Sequence, residues 1–212
     1  MLHEYRSIAE LQSLIQKPLS VKGVVLALPF TQASQAQQAV KLMAQRANYP
    51  GLIISVHDEA GIGFNAIVNL VFKATQSTYF AYVAQDAYAG RDWLKLAVQA
   101  LGEQKSLLGF NDGKWAGALA GFGLARRAWA EQNYQGDFFC PQYLRYYADA
   151  ELTLLAMQAG LYVYEPNSVL IEVDWNKDRS AVDVGDRAVF IERKSHQFAG
   201  RITSPQLLNL IS

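Results

Sequence analysis

The chain predicts an α/β fold, a mostly parallel sheet flanked by helices, with a less regular C-terminal half. Three observations lead there. Short β-rich apolar runs alternate with helical stripes from Val24 to Phe110. The runs are continuous rather than alternating, as in strands covered on both faces. And 51% of the 212 residues are apolar, enough for a substantial core. Strands alternating with helices at this spacing imply right-handed βαβ crossovers.

Ser7-Ile-Ala-Glu10 has capping-box spacing, with Ile8, Leu11, Leu14 and Ile15 forming a helical stripe behind it. VVLALPF (24–30) is a buried strand ended by Pro29. Ser34 caps the Gln- and Ala-rich helix that follows, which stops before Tyr49-Pro50-Gly51. LIISV (52–56) is a second strand and GIGFNAIVNLVFKA (61–74) a helix. YFAYVAQ is a third strand, WLKLAVQAL (93–101) a helix, and SLLGF (106–110) a fourth strand. Beyond it, AGALAGFGLARRAWAEQ (116–132) is Gly-rich until it turns helical at Leu124. NYQGDFFCPQYLRYY reads as an aromatic loop. DAELTLLAMQAG (149–160) is a helix with acids in its first turn and a Gly stop, and LYVYEP and SVLIEV (168–173) are short strands. A short helix starts at Ser204-Pro205. No repeat or linker divides the chain, so it is one domain in two halves.

Charge narrows the function. Lys plus Arg and Asp plus Glu both number 19, and the pI is near 6.8. Such balance gives no broad electrostatic footprint for a nucleic acid backbone. The single cysteine, Cys140, precludes an intrachain disulfide and has no basic neighbour to activate it. The N-terminal MLHEYRSIAELQ is not a signal peptide, and the apolar runs fall far short of the roughly 20 residues that span a bilayer. A soluble, cytoplasmic protein without an integral membrane segment is expected. The three histidines have no zinc-ligand spacing.

Ligand crevices of open parallel sheets lie beyond the carboxyl ends of the strands. Two acids stand at predicted strand ends, Asp58 after LIISVH and Asp86 after YFAYVAQ, with no cation adjoining either in sequence. A diphosphate-bound Mg²⁺ or Mn²⁺ is one natural partner for such carboxylates; capping the next helix is the other. Gly61-Ile-Gly63-Phe-Asn-Ala66 also fits a loose dinucleotide pattern, with Asp86 about 20 residues on. That makes an NAD(P)-binding oxidoreductase the competing reading. Against it, His57-Asp58-Glu59 intervenes between strand and glycines, and two carboxylates repel a pyrophosphate.

From Val24 to Asp174 the order of these features resembles the nucleotide-binding scaffold of GT-A glycosyltransferases, most closely the inverting family 2. That family shows an apolar strand ending in Pro, a strand ending in acids, and an Asn-led helix followed by "A-T-G-x-Y". The corresponding residues here are LALPF, SVHDEAG and Asn69 to Tyr79 in NLVFKATQSTY. Its Asp-x-Asp falls on Ala84 and Asp86, so only the second acid is present. Its "E-D-x-[DE]-L" falls on Ala148-Asp149-Ala150-Glu151-Leu152, followed by Ala159-Gly160 and Pro166.

The resemblance implies a single domain over residues 1–212, with a nucleotide-sugar-binding half at 24–112. An acceptor and catalytic half follows at 113–175, and a C-terminal tail at 176–212. It implies transfer of a sugar from a nucleotide-diphospho-sugar to a hydroxyl of a glycan or small-molecule acceptor, with inversion. Asp149 falls on the catalytic base. Pro29, Asp58, Asn69, Gln85 and Asp86 fall on donor contacts. Asp86 would hold the divalent cation, Mg²⁺ or Mn²⁺, helped by Glu172 or Asp174, which share one face of LIEVDW. Trp115, Tyr146 and Tyr147, with Phe122, Trp129 and Tyr143, are aromatics for the acceptor. The helix dipole at Asp149 favours a low pKa, so upward tuning would come from burial beside the sugar. Relatives often act on surface polysaccharides or lipid-linked glycans. With one acid of the Asp-x-Asp missing, a non-catalytic sugar-nucleotide-binding domain is a further alternative, and the oligomeric state is left open.

Overall fold

The computed structural model describes residues 1–173 and 184–211. In chain order its elements begin with β1 (Leu2–Tyr5), α1 (Ile8–Leu14), β2 (Leu19–Ser20), β3 (Val24–Phe30) and α2 (Ala33–Arg46). Next come β4 (Gly51–His57), α3 (Phe64–Ala74), β5 (Thr75–Gln76), β6 (Tyr79–Tyr82) and β7 (Ala87–Ala89). Then follow α4 (Trp93–Leu101), β8 (Leu107–Asn111), β9 (Gly123–Arg126), α5 (Arg127–Ala130) and α6 (Ala148–Gln158). The last are β10 (Tyr162–Glu172), α7 (Val184–Ser195), α8 (Gln197–Gly200) and α9 (Pro205–Leu208).

Among the described residues the main sheet has eight strands, ordered β1-β4-β3-β6-β9-β8-β10-β7. The half from β1 to β6 is parallel, as the apolar runs predict. β3 occupies the expected 24–30 and every residue in it is buried. Both faces are covered. One apolar cluster joins the sheet to α3 and α6, and the other joins it to α2 and α4. Fully burying one Leu or Val side chain stabilises by about 1.5–3 kcal/mol.

The helix ends follow local chemistry. The capping box is present in α1: the Glu10 N–H donates to Ser7 Oγ at 3.3 Å and the Ser7 N–H to Glu10 Oε2 at 2.7 Å. α9 starts as expected behind Ser204, whose side chain accepts from the Leu207 N–H. Ser34, however, lies inside the first turn of α2 rather than at its cap. The N-cap is Gln32, which makes no side-chain cap bond. The turn into α2 is tied from across the sheet instead: the N–H groups of Thr31 and Gln32 both donate to Gln85 Oε1 at 2.8 Å.

Three expectations are corrected. Gly123–Arg126 is a strand, not the start of a helix; β9 runs antiparallel between β6 and β8. Leu-Ala-Arg is good helix-forming sequence, but pairing on both edges overrides propensity. Gly123 permits the fit, since a Cβ there would stand 2.6 Å from the Tyr82 hydroxyl. LYVYEP and SVLIEV are not two strands but one, β10, with a shift of register between Glu165 and Val169. And β6 stops at Tyr82, so Asp86 sits in the turn between β6 and β7 instead of ending a strand.

The aromatic stretch is irregular, as expected, but several of its side chains, Tyr134, Phe138, Phe139 and Tyr143 among them, enter the core. Phe138 packs against Phe72, Phe80 and Tyr82 with centroids 5.3, 4.9 and 5.4 Å away. No helix among the described residues is long and apolar enough to cross a membrane.

Candidate active site

A cleft of about 510 Å³ opens past the carboxyl ends of β3 and β4 and reaches the head of α6. Pro29, Phe30 and Thr31 form one wall. The Phe30 ring stacks on His57, with centroids 5.0 Å apart and planes 8° from parallel. Asp58, one residue past β4, also lines the cleft. Its carboxylate accepts from the N–H of Ile62 at 2.8 Å and of Gly63 at 3.0 Å. Those amides are the ones a dinucleotide pyrophosphate would need, and a carboxylate already holds them. Gly63 has another purpose. Its φ is +94°, and a Cβ would stand 2.6 Å from Leu144 O, so glycine lets α3 approach the segment before α6.

The floor comes from the turn between β6 and β7, which contributes Gln85 and the buried Asp86. The antiparallel pairing of β7 and β10 sets Glu172 opposite Ala87, and the Val173 N–H donates to Asp86 O at 3.0 Å. Backbone register thus places Glu172 beside Asp86 on the cleft wall. Two carboxylates lining one cleft suit a hard divalent cation whose other ligands are diphosphate oxygens and water. Among the described residues there is no ready-made cluster of three His, Cys, Asp or Glu ligands. Lys114 Nζ lies 2.9 Å from Glu172 Oε2 and adds a cation to the same wall. Asp174 lies outside the described residues.

Asp149 lies across this wall at the start of α6. Tyr147, at φ +66°, turns the chain into the helix, and Asp149 Oδ1 accepts from the Ala150 N–H at 2.9 Å. Burial pushes the Asp149 carboxyl up to about 7; the N–H groups of Ala150 and of Asp149 itself pull it down, while Glu172 and Asp112 push it further up. The expected dipole effect is therefore outweighed, and by the protein's own walls rather than by a bound sugar.

Asp112, one residue past β8, went unremarked in the sequence. Its Oδ1 accepts from the N–H groups of Lys114 at 2.8 Å and Trp115 at 3.0 Å, fixing the turn that presents both side chains to the cleft. Its buried Oδ2 has no hydrogen-bond partner among the described residues. The rule that flagged Asp58, an acid just beyond a buried strand, would have found it.

Not every expected residue reaches the cleft. Trp115, Tyr146 and Phe122 line it, joined by Arg145. Tyr147 does not; its ring stacks on Phe190 at 4.7 Å. Tyr143 is buried, its hydroxyl donating to Glu151, and Trp129 packs against the core. Asn69 is also displaced from its expected role. Its Nδ2 donates to Phe139 O at 3.0 Å, and its Oδ1 accepts from the N–H of Phe138 at 3.0 Å and Phe139 at 2.8 Å. A buried amide so occupied pins the aromatic core.

The sequence matches no family model and no curated protein. Solved structures do match. A mannosyltransferase from Pyrobaculum calidifontis, in complex with GDP-Man and Mn²⁺, is 14% identical over 96% of this chain and 74% of its own, with a TM-score of 0.59. Glucosyl-3-phosphoglycerate synthase from Mycobacterium tuberculosis, bound to Mn²⁺, UDP and glucosyl-3-phosphoglycerate, is 12% identical over 97% and 89%, with a TM-score of 0.56. TarS residues 1–349 from S. aureus, in complex with UDP, is 11% identical over 70% and 59%, with a TM-score of 0.54.

The fold is GT-A. Within this GT-A scaffold the cleft stands where the strand ends converge, and Asp58, Asp86 and Asp149 open onto it together. Lys114, Arg145, Phe64 and Asn65 also line it. Lys114 and Arg145 belong to no motif, and Phe64 and Asn65 fill only the unspecified positions of Gly61-Ile-Gly63-Phe-Asn-Ala66, so spacing along the chain could not have singled them out.

Proposed function

We propose that this protein is a glycosyltransferase that moves a sugar from a nucleotide-diphospho-sugar to an acceptor hydroxyl, with inversion and with the help of Mg²⁺ or Mn²⁺. One observation carries the reading: Asp149 and the Asp86–Glu172 pair line the same cleft of a GT-A fold. The mannosyltransferase and the phosphoglycerate synthase named above are themselves bound to Mn²⁺ and nucleotide.

Asp149 takes the proton of the acceptor hydroxyl as that oxygen attacks the anomeric carbon. A carboxyl near 7 suits this step, because a base is most effective when its pKa lies close to the working pH. The helix start fixes its direction. Asp86 and Glu172 would hold the cation, which would supply positive charge to offset that developing on the departing diphosphate. Pro29, Phe30 and Asp58 receive the nucleoside, the last two offering an aromatic face and a carboxylate acceptor. Gln85 steadies that wall through Thr31 and Gln32. Trp115 and Tyr146, 48% and 42% exposed, offer faces on which an acceptor ring can stack.

A panel of UDP- and GDP-hexoses, with and without Mn²⁺, tests the reading by sugar release and transfer, beside titration calorimetry with UDP, GDP and NAD. Metal-dependent diphosphate binding is expected. Asp149→Asn should lower transfer by about 10²–10⁴ while nucleotide binding survives. Binding of NAD alone, or undiminished transfer by Asp149→Asn, rejects it.

A further inference from the structure

Helix α7 lies in what the sequence presents as a tail, yet one of its faces is directed at the segment that carries Asp149. Asp186, Phe190 and Arg193 fall at i, i+4 and i+7, a single stripe of the helix. They meet residues 142–151 in succession. The Asp186 carboxylate, 3% exposed, accepts N–H bonds from Leu144 at 2.7 Å and from Arg145 and Tyr146 at 2.8 Å. The Phe190 ring stacks on Tyr147. Arg193 donates to both oxygens of Glu151, at 2.7 and 2.6 Å, and to Gln142 Oε1 at 2.9 Å. Glu151 is fully buried and also accepts from the hydroxyls of Tyr134 and Tyr143, each at 2.9 Å.

These contacts bracket Asp149, reaching its chain from seven residues before to two residues after. Tyr147 enters α6 with positive φ, a conformation a tyrosine keeps only when its surroundings hold it. Three consecutive N–H groups converging on one carboxylate are charge-assisted and geometrically exacting. Arg145 and Tyr146, whose backbone Asp186 grips, are themselves cleft residues. Cleft wall and helix head thus answer to the same external element.

We propose that α7 is a brace, and that Asp186 and Arg193 are positioning residues that set Asp149, Arg145 and Tyr146 at the cleft. Its catalytic consequence rests on Asp149 being the base, as proposed above; the brace itself does not. The tail is then part of the working site, acting from behind it.

The test uses the full chain carrying Asp186→Asn, Arg193→Lys, or the pair Glu151→Gln with Arg193→Met, which removes both charges of the ion pair together. An asparagine amide has a single acceptor oxygen, so in either orientation its NH2 faces at least one of the three N–H groups and it cannot replace the carboxylate. Three readouts are taken: transfer rate, calorimetric affinity for UDP and GDP with Mn²⁺, and the Asp149 carboxyl titration by ¹³C NMR without metal. For Asp186→Asn and the double variant, kcat should fall roughly tenfold or more, since small misplacement of a reacting group is costly. Nucleotide affinity should stay within about twofold, and the Asp149 midpoint should drop from about 7 as its burial loosens. Arg193→Lys should recover part of both. Phe190→Leu removes no buried charge and supplies the same readouts if another variant fails to fold. Variants that merely melt earlier, with kcat and midpoint unchanged, overturn the brace. If the unaltered chain transfers no sugar from any donor, the proposed function fails, and the titration alone then decides on the brace.

Discussion

The pH dependence of Asp149 gives the sharpest test of the site. Burial, helped by Glu172 and Asp112, lifts its carboxyl from 3.8 to about 7. A general base acts only when ionised, so kcat/KM should be flat above pH 8 and fall on the acid side. About one-tenth of the base remains ionised at pH 6 and about one-hundredth at pH 5. Initial rates between pH 5 and 9 at constant ionic strength measure the limb. Asp112→Asn removes a like charge and should move it to lower pH.

The same lift has a stability consequence of definite sign. The folded chain holds this proton up to about pH 7, whereas the unfolded chain releases it near 3.8, so the folded state binds more protons between those values. Stability therefore declines as pH rises through that window and stays reduced above it. At about 1.4 kcal/mol per pH unit the ceiling is about 4 kcal/mol, lowered because the carboxyl opens onto the cleft. Asp149→Asn should accordingly be more stable than the parent at pH 8 and close to it at pH 4, measured by urea denaturation. A limb centred near pH 4, or an Asn variant destabilised at pH 8, would refute the account of how the cleft tunes this acid.

Three further outcomes are expected. Asp86→Ala should abolish the Mn²⁺ dependence of UDP or GDP affinity by calorimetry while leaving the melting temperature nearly unchanged; retained metal dependence would move the cation elsewhere. Asn69→Leu should destabilise by about 3–5 kcal/mol, because two buried N–H groups and one carbonyl lose their partner; a melting temperature within a few degrees of the parent would contradict it. Trp115→Ala should raise the acceptor KM with donor KM unchanged, since one exposed stacking face is lost; an effect on donor KM alone would place the residue on the other substrate.

The alternation of the central parallel strands β3, β4 and β6 with their helices was legible in the residues because buried parallel strands leave long apolar runs, and VVLALPF gives its own boundaries, whereas β1, β7 and α7 left no such signature. Helix starts with an acid or hydroxyl signature, at Ser7, Ser204 and Asp149, were equally plain, since capping is local chemistry. Asp58 and Asp86 stood out as charge following a buried run, and Asp149 through the resemblance of Ala148–Leu152 to the E-D-x-[DE]-L motif.

What the chain could not disclose alone is whatever depends on two distant segments meeting. β9 is a strand because β6 and β8 flank it, although its residues favour a helix. Asn69 carries the family position for donor contact but folds against Phe138 and Phe139 instead. Tyr146 and Tyr147 are neighbours, yet one faces the cleft and the other Phe190, since a single left-handed residue turns the chain between them. Glu172 stands beside Asp86 through the register of β7 with β10, and Asp149 acquires its raised pKa from walls contributed by β8, β10 and the turns beyond them. Sequence settles local preference through dihedral sterics, capping and apolar period; proximity, desolvation and the sum of nearby charges exist only once the sheet has closed.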